Sequence, residues 1–272
     1  MAAAVVSAEH VASSSFSLPS SSSLYFHLLS VLVALVVARA VFVLLQTGRS
    51  PWRACRQRRG PKEKVRTLIV LGSGGHTAEM LSLVKALDFD RYQPRWYVAG
   101  ATDKLSLSKA AALEEQQKAL TSAEEAEKVT GNNRSSNEIG SLRTGLMECK
   151  EAKAHFLKVY RSREVGQSYF TSVGSTLLAC AHAAYLVFRV RPDVIVCNGP
   201  GTCLPVCVAG FLLKVTGLRW VTMIFVESVC RVQKLSLTGI LFYKFRLMDQ
   251  FYVQWESLLQ KYPGTIFVGR VM

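Results

Sequence analysis

The chain has 272 residues, half of them apolar and 19% charged, with a formal net charge of +14. That length supports one substantial core without help from disulfides or metals, and the apolar share exceeds that of a typical soluble protein, so some segment is expected to meet lipid. Eight basic side chains fall in residues 49–66 (Arg49, Arg53, Arg56, Arg58, Arg59, Lys62, Lys64 and Arg66) against Glu63 alone. No aromatic pattern is interleaved with them, which argues against nucleic acid and for anionic lipid headgroups. Seven scattered cysteines with no CxxC spacing predict neither a disulfide framework nor a metal site; they read as small buried residues in a reducing compartment.

In chain order, residues 1–23 form a serine-rich tail without Lys or Arg, expected to be lumenal. Residues 24–45 (LYFHLLSVLVALVVARAVFVLL) are long enough to span a bilayer core, with Arg39 near enough to one end to snorkel. The basic linker of residues 46–64 follows, and the positive-inside rule puts everything from residue 49 onward in the cytosol. There the sequon Asn133-Arg134-Ser135 would stay unmodified. Residues 65–272 predict an α/β domain. A strand over 65–71 (VRTLIVL) runs into Gly72-Ser73-Gly74-Gly75-His76-Thr77 and a helix with Met80, Leu81, Val84 and Leu87 on one face. A second strand over 95–101 follows Pro94, and residues 104–150 read as a polar, partly helical insertion. Further strands are expected at 156–160, 193–197, 219–226 and 250–254, alternating with helices at 172–189, 203–216 and 235–248, and a last extended piece at 265–270. This alternation implies a parallel sheet covered on both faces, with ligands at the carboxyl ends of its strands.

Four loops fall at that edge. The glycines at 72, 74 and 75 let the backbone turn tightly and approach a ligand, and the following helix start favours a phosphate or diphosphate. A nicotinamide or flavin site is disfavoured, because Thr77 stands where GxGxxG needs its third glycine and the second strand lacks the acidic residue. No cofactor and no metal are therefore expected. His76, at the tip of the loop, suits a general base or a phosphate ligand, with helix capping as the plain alternative. Glu79 reads as matching the helix dipole. Asp103 either accepts a proton from an attacking hydroxyl or forms a turn. Glu227 is open to three readings: a catalytic carboxylate, a sugar-hydroxyl ligand, or a partner of Arg231. The loop Asn198-Gly199-Pro200-Gly201-Thr202 completes the edge.

Together with Arg161-Ser162-Arg163-Glu164-Val165 and Val226-Glu227-Ser228-Val229-Cys230-Arg231-Val232, these motifs resemble the membrane-anchored subunits of the UDP-N-acetylglucosamine transferase that adds the second sugar of the dolichol-linked oligosaccharide. The resemblance implies the Rossmann-like amino-terminal half of a GT-B glycosyltransferase, similar to the bacterial enzyme that completes the lipid-linked peptidoglycan precursor. It further implies an endoplasmic reticulum protein acting on the cytosolic face with a separate soluble, nucleotide-sugar-binding subunit. On that basis Gly72, Ser73, Gly74, Gly75 and Thr77 are expected to hold the diphosphate of a dolichol-linked acceptor. Asn198, Gly199, Gly201, Thr202 and Arg231 are expected to position the acceptor, and His76, Asp103 and Glu227 are the catalytic candidates. Two other readings stand beside it: a non-catalytic anchor that only recruits the partner, and a membrane-bound nucleotide-dependent oxidoreductase.

Overall fold

A computed structural model of the chain describes residues 21–47, 63–131, 154–160, 169–199 and 201–270. The serine-rich tail up to residue 20, most of the basic linker, the sequon, and the motif Arg161-Ser162-Arg163-Glu164-Val165 lie outside the described residues.

Two units are distinguished, divided at Val41 and Phe42. The first contains most of helix α1 (Ser21–Gln46). Its apolar side chains, among them Leu24, Phe26, Leu28, Leu32 and Leu35, are exposed all round the helix, the pattern of a segment whose solvent is lipid. The stretch Leu24–Gln46 has a mean hydropathy of 2.8 and is long and apolar enough to cross a bilayer; at 1.5 Å per residue it reaches about 35 Å.

The second unit is built on a seven-stranded, wholly parallel sheet in the order β3-β2-β1-β4-β5-β6-β7. The strands are β1 (Thr67–Val70), β2 (Arg95–Gly100), β3 (Ala154–Val159), β4 (Val194–Cys197), β5 (Thr222–Val226), β6 (Gln250–Val253) and β7 (Ile266–Phe267). The helices between them are α2 (Gly75–Lys85), α3 (Lys104–Gly131), α4 (Tyr169–Val190), α5 (Cys203–Val215), α6 (Leu237–Lys244) and α7 (Glu256–Lys261). Strand alternation sorts the core onto two faces. Ile69 and Leu71 of the first strand run, with Tyr97 and Ala99, pack under Met80, Val84, Ala110 and Leu113 of α2 and α3. Leu68, Val70, Val98, Ile195 and Phe225 face the other way, onto α4, α5 and α6. This is a Rossmann-like α/β fold.

Residues 203–215 form a core helix: Val206, Cys207, Ala209 and Leu213 are buried. Its Cys203 and Cys207 lie with Cys197 in the interior, where burial raises the Cys197 and Cys203 thiols above their ordinary range, and the hydrogen bond with Cys197 together with burial raises Cys207. The polar stretch after residue 103, expected as a partly helical insertion, begins as helix α3. Its first third is a structural layer, because Ser106, Ala110, Leu113 and Glu114 recur at helical spacing and are buried. Only the residues from 132 to 153 lie outside the described part.

What fastens α3 to the sheet is polar. The guanidinium of Arg95, 2% exposed, donates from Nε and Nη2 to the two carboxylate oxygens of Glu114 at 2.6 and 2.8 Å. The Tyr97 hydroxyl donates to Glu114 Oε1 at 2.7 Å, and Arg95 Nη1 donates to the carbonyls of Phe89 and Tyr92. Burial pushes the Glu114 carboxyl up, but the hydrogen bonds from Arg95 and Tyr97 outweigh it and hold the group below its ordinary range.

Candidate functional site at the switch point of the sheet

The chain leaves β1 toward one edge of the sheet and β4 toward the other, so the loops after these two neighbouring strands splay apart and leave a crevice. The 72–77 loop forms one wall. Gly74 is the N-cap of α2 at φ 63°, a left-handed conformation that a side chain would oppose, and it offers no side-chain cap. Nothing lies within 4 Å of where a Cβ would stand on Gly74 or Gly75. Ser73, Gly74 and Gly75 are exposed, whereas Gly72 is buried. The outer surface of the loop and the positive end of α2 are therefore open to an anion.

The Thr77 side chain points the other way. Its hydroxyl donates to the Gly72 carbonyl and lies 2.6 Å from Ser106 Oγ, which is itself 2.9 Å from Gly72 O. Thr77 thus serves the loop's shape, and any contribution to a phosphate comes from its backbone. Asp103 belongs to the same latch. It precedes α3, accepts from Ser106 N at 3.0 Å through Oδ1, and accepts from Ser106 Oγ at 2.5 Å through Oδ2. This is an N-cap arrangement, and it engages both carboxylate oxygens.

The opposite wall is the loop after β4. Asn198, 1% exposed, donates from Nδ2 to the His76 carbonyl at 2.8 Å and so ties the two walls together. Gly199 adopts φ 75°, and a Cβ there would stand 3.1 Å from Cε1 of the His76 ring. The imidazole therefore rests on a position that only glycine leaves open. Asn198 Oδ1, Thr202 Oγ1 and His76 Nδ1 are buried polar atoms without a hydrogen-bond partner. Gly201 is exposed. Asn198 Oδ1 and Thr202 Oγ1, both in the loop after β4, mark a place where a polar ligand could supply what the protein does not.

Glu227 stands behind the crevice. It is fully buried, and its carboxylate accepts from Ser236 N at 2.9 Å, Ser236 Oγ at 3.1 Å and Ser228 N at 3.2 Å. Burial pushes its pKa up, opposed by these hydrogen bonds and by the charge of Arg231. The group organises the loop between β5 and α6, with both carboxylate oxygens engaged by Ser228 and Ser236. Arg231 is exposed on that loop.

Two residues at the centre of the arrangement were not singled out as site residues from sequence. Glu79 is 5% exposed. Far from merely matching the helix dipole, it accepts from Ser228 Oγ at 2.7 Å through Oε1, while Oε2 lies 3.4 Å from Asn198 Nδ2. Ser106 is the other. The spacing of three that puts His76 and Glu79 on one helical face was visible in the sequence, but Ser106 meets the glycine loop only through the packing of α3. Among the described residues no group of His, Cys, Asp or Glu is arranged to hold a metal ion.

The family described as "Oligosaccharide biosynthesis protein Alg14 like" matches residues 67–271, the whole of the sheet domain. The chain belongs to the Alg14 family. The mouse relative, named UDP-N-acetylglucosamine transferase subunit ALG14, is 40% identical over 212 residues, covering 78% of this chain and 85% of its own. The human relative of the same name is 36% identical over 243 residues, covering 89% and 98%. Among solved structures, MurG from Acinetobacter baumannii aligns with a TM-score of 0.42 at 13% identity, covering 70% of this chain, which spans 41% of the MurG length. Membership of the Alg14 family covers every described loop at the crevice.

Proposed function

We propose that this chain is the membrane-anchoring, acceptor-binding subunit of a two-chain glycosyltransferase that adds the second N-acetylglucosamine to GlcNAc-diphosphodolichol in N-linked glycan precursor synthesis. The observation that carries the reading is the crevice between the β1 and β4 loops. There an open glycine loop and an uncapped helix start, which carry His76, face the loop after β4, and both loops hold buried polar atoms without a partner. The names of its Alg14 relatives supply the reaction class. The domain is then the amino-terminal half of a GT-B enzyme. A separate soluble subunit supplies the nucleotide-sugar site, and α1 holds the chain in the endoplasmic reticulum membrane with the sheet domain in the cytosol. The charge of the basic linker suits anionic lipid headgroups.

The acceptor's diphosphate occupies the outer face of Ser73, Gly74 and Gly75, stabilised by backbone N–H groups and the positive end of α2. Gly72 and Thr77 shape that loop from within. Asn198, Gly199, Gly201, Thr202 and Arg231 position the acceptor sugar. Its 4-hydroxyl oxygen bonds to C1 of UDP-N-acetylglucosamine from the face opposite UDP, the bond from C1 to the phosphate oxygen breaks with its electron pair leaving on UDP, and the anomeric configuration inverts. The hydroxyl proton passes to the imidazole of His76. Of the three catalytic candidates, Asp103 and Glu227 have their carboxylates engaged in holding α3 and the β5–α6 loop. His76, 36% exposed at its side chain, has a ring that meets the crevice. Holding two substrates in a shared cleft contributes much of the acceleration.

The test replaces His76 with Ala in the full-length chain, co-expressed with its soluble partner, and measures transfer to a GlcNAc-diphosphopolyprenyl acceptor. Transfer is expected to fall by about 10²- to 10⁴-fold with the complex intact. An unchanged rate would leave this chain as an anchor that recruits the partner and no more.

A further inference from the structure

We infer that Glu79 is a positioning residue for His76: its carboxylate takes the proton of the imidazole Nδ1 as a hydrogen bond and so keeps the lone pair of Nε2 free to accept the acceptor's proton. The inference rests on the reading of His76 as the base and deepens it.

The geometry is that of a carboxylate–imidazole pair one short movement from closure. His76 Nδ1 is buried and has no hydrogen-bond partner, and Glu79 Oε2 lies 3.9 Å from it, one helical turn along α2. Shortening that distance to a hydrogen bond takes about 1 Å, and catalytic hydrogen bonds in unliganded sites are commonly long until substrate tightens them. Both members are held for this. Glu79 Oε1 is fixed by the Ser228 hydroxyl at 2.7 Å, and Asn198 Nδ2 stands 3.4 Å from Oε2 while it also grips the His76 carbonyl. The ring itself lies against Gly199. A neutral imidazole carries its single N–H on either nitrogen, and a carboxylate only accepts, so a carboxylate beside Nδ1 selects the Nδ1–H form. The carboxylate does not become protonated; the acceptor's proton stays on the imidazolium. The same contacts make Glu79 a tie between α2 and the loops after β4 and β5, so the test must separate orientation of the ring from a purely structural role.

Glu79→Gln separates them. The glutamine oxygen still accepts from Ser228, so the tie to the loop after β5 is kept, while its amide takes the place of the oxygen facing Asn198, donates to Nδ1 and drives the proton onto Nε2. In the full-length chain with its partner, kcat is expected to fall by about 10²- to 10³-fold while KM for donor and acceptor stay within about two-fold. Nitrogen-15 spectra of His76 in the wild-type complex near neutral pH are expected to show the Nδ1–H form, which the substitution shifts toward Nε2–H. Wild-type-like kcat in Glu79→Gln, with His76→Ala inactive, would overturn the inference and leave the base assignment standing. Activity in His76→Ala would overturn the base assignment itself. If Glu79→Gln fails to fold or to bind its partner, the wild-type spectrum still decides, because an Nε2–H imidazole there refutes the pairing.

Discussion

His76, Gly199, Asn198 and Glu79 act as one object although 123 positions separate the first two from each other in the sequence numbering. Gly199 is the clearest case of a residue chosen for what it lacks. A methyl group there meets the imidazole at 3.1 Å and forces a backbone at φ 75° that L-residues resist. Gly199→Ala is therefore expected to cost about 1–3 kcal/mol of stability and to lower kcat, since the added methyl group presses on the His76 ring and shifts it from its position. Thermal unfolding together with steady-state transfer assays checks both. The sequence exposed His76 as a residue of the loop tip and marked the glycines around it. It did not distinguish the three candidate bases, because whether Asp103 and Glu227 are free depends on Ser106 and Ser236, partners that local spacing assigns to Asp103 only as a turn and to Glu227 not at all.

At the scale of elements, α3 carries the most information that the sequence withheld. Its composition is polar enough to read as an insertion, yet its first turns close the back of the glycine loop through Ser106, and Glu114 fixes it to β2. Removing the carboxylate leaves Arg95 charged and buried, so Glu114→Ala is expected to destabilise the domain by about 3–5 kcal/mol, read by urea unfolding of the solubilised chain. The pH dependence has a definite sign. The folded-state pKa of Glu114 lies below its ordinary value of 4.5, so its contribution is complete above that value and is lost as pH falls through the lower folded pKa. Acidification below about pH 4.5 should accordingly destabilise the wild type more steeply than Glu114→Gln. The strands and core helices were far more legible, because a parallel sheet buried on both faces demands continuous apolar runs that nothing else in the chain imitates. Element ends shifted by a few residues: β5 begins at Thr222 where the run 219–226 was expected, because Trp220 and Val221 precede its first ladder bond.

For the whole molecule, joining a helix long and apolar enough to cross a bilayer to the sheet domain proposed to bind a lipid acceptor has a kinetic consequence. An anchor raises the local concentration of the domain at the surface where a polyprenyl acceptor resides. A chain lacking residues 1–47 is expected to show a raised KM for a long-chain lipid acceptor in vesicles, with transfer to a short, water-soluble analogue unchanged. Assays with the two acceptors side by side check this.

The sequence by itself determined the apolar span, the alternating α/β order and the four loops that meet at one sheet edge. These follow from hydrophobic periodicity and glycine placement, which are local properties of the chain. Only the tertiary structure decided which side chains at that edge face the crevice and which are committed to holding it, and that Ser228 and Asn198 stand against the Glu79 carboxylate. Burial and hydrogen-bond partnership arise from residues far apart in the sequence, brought together when the sheet closes its layers.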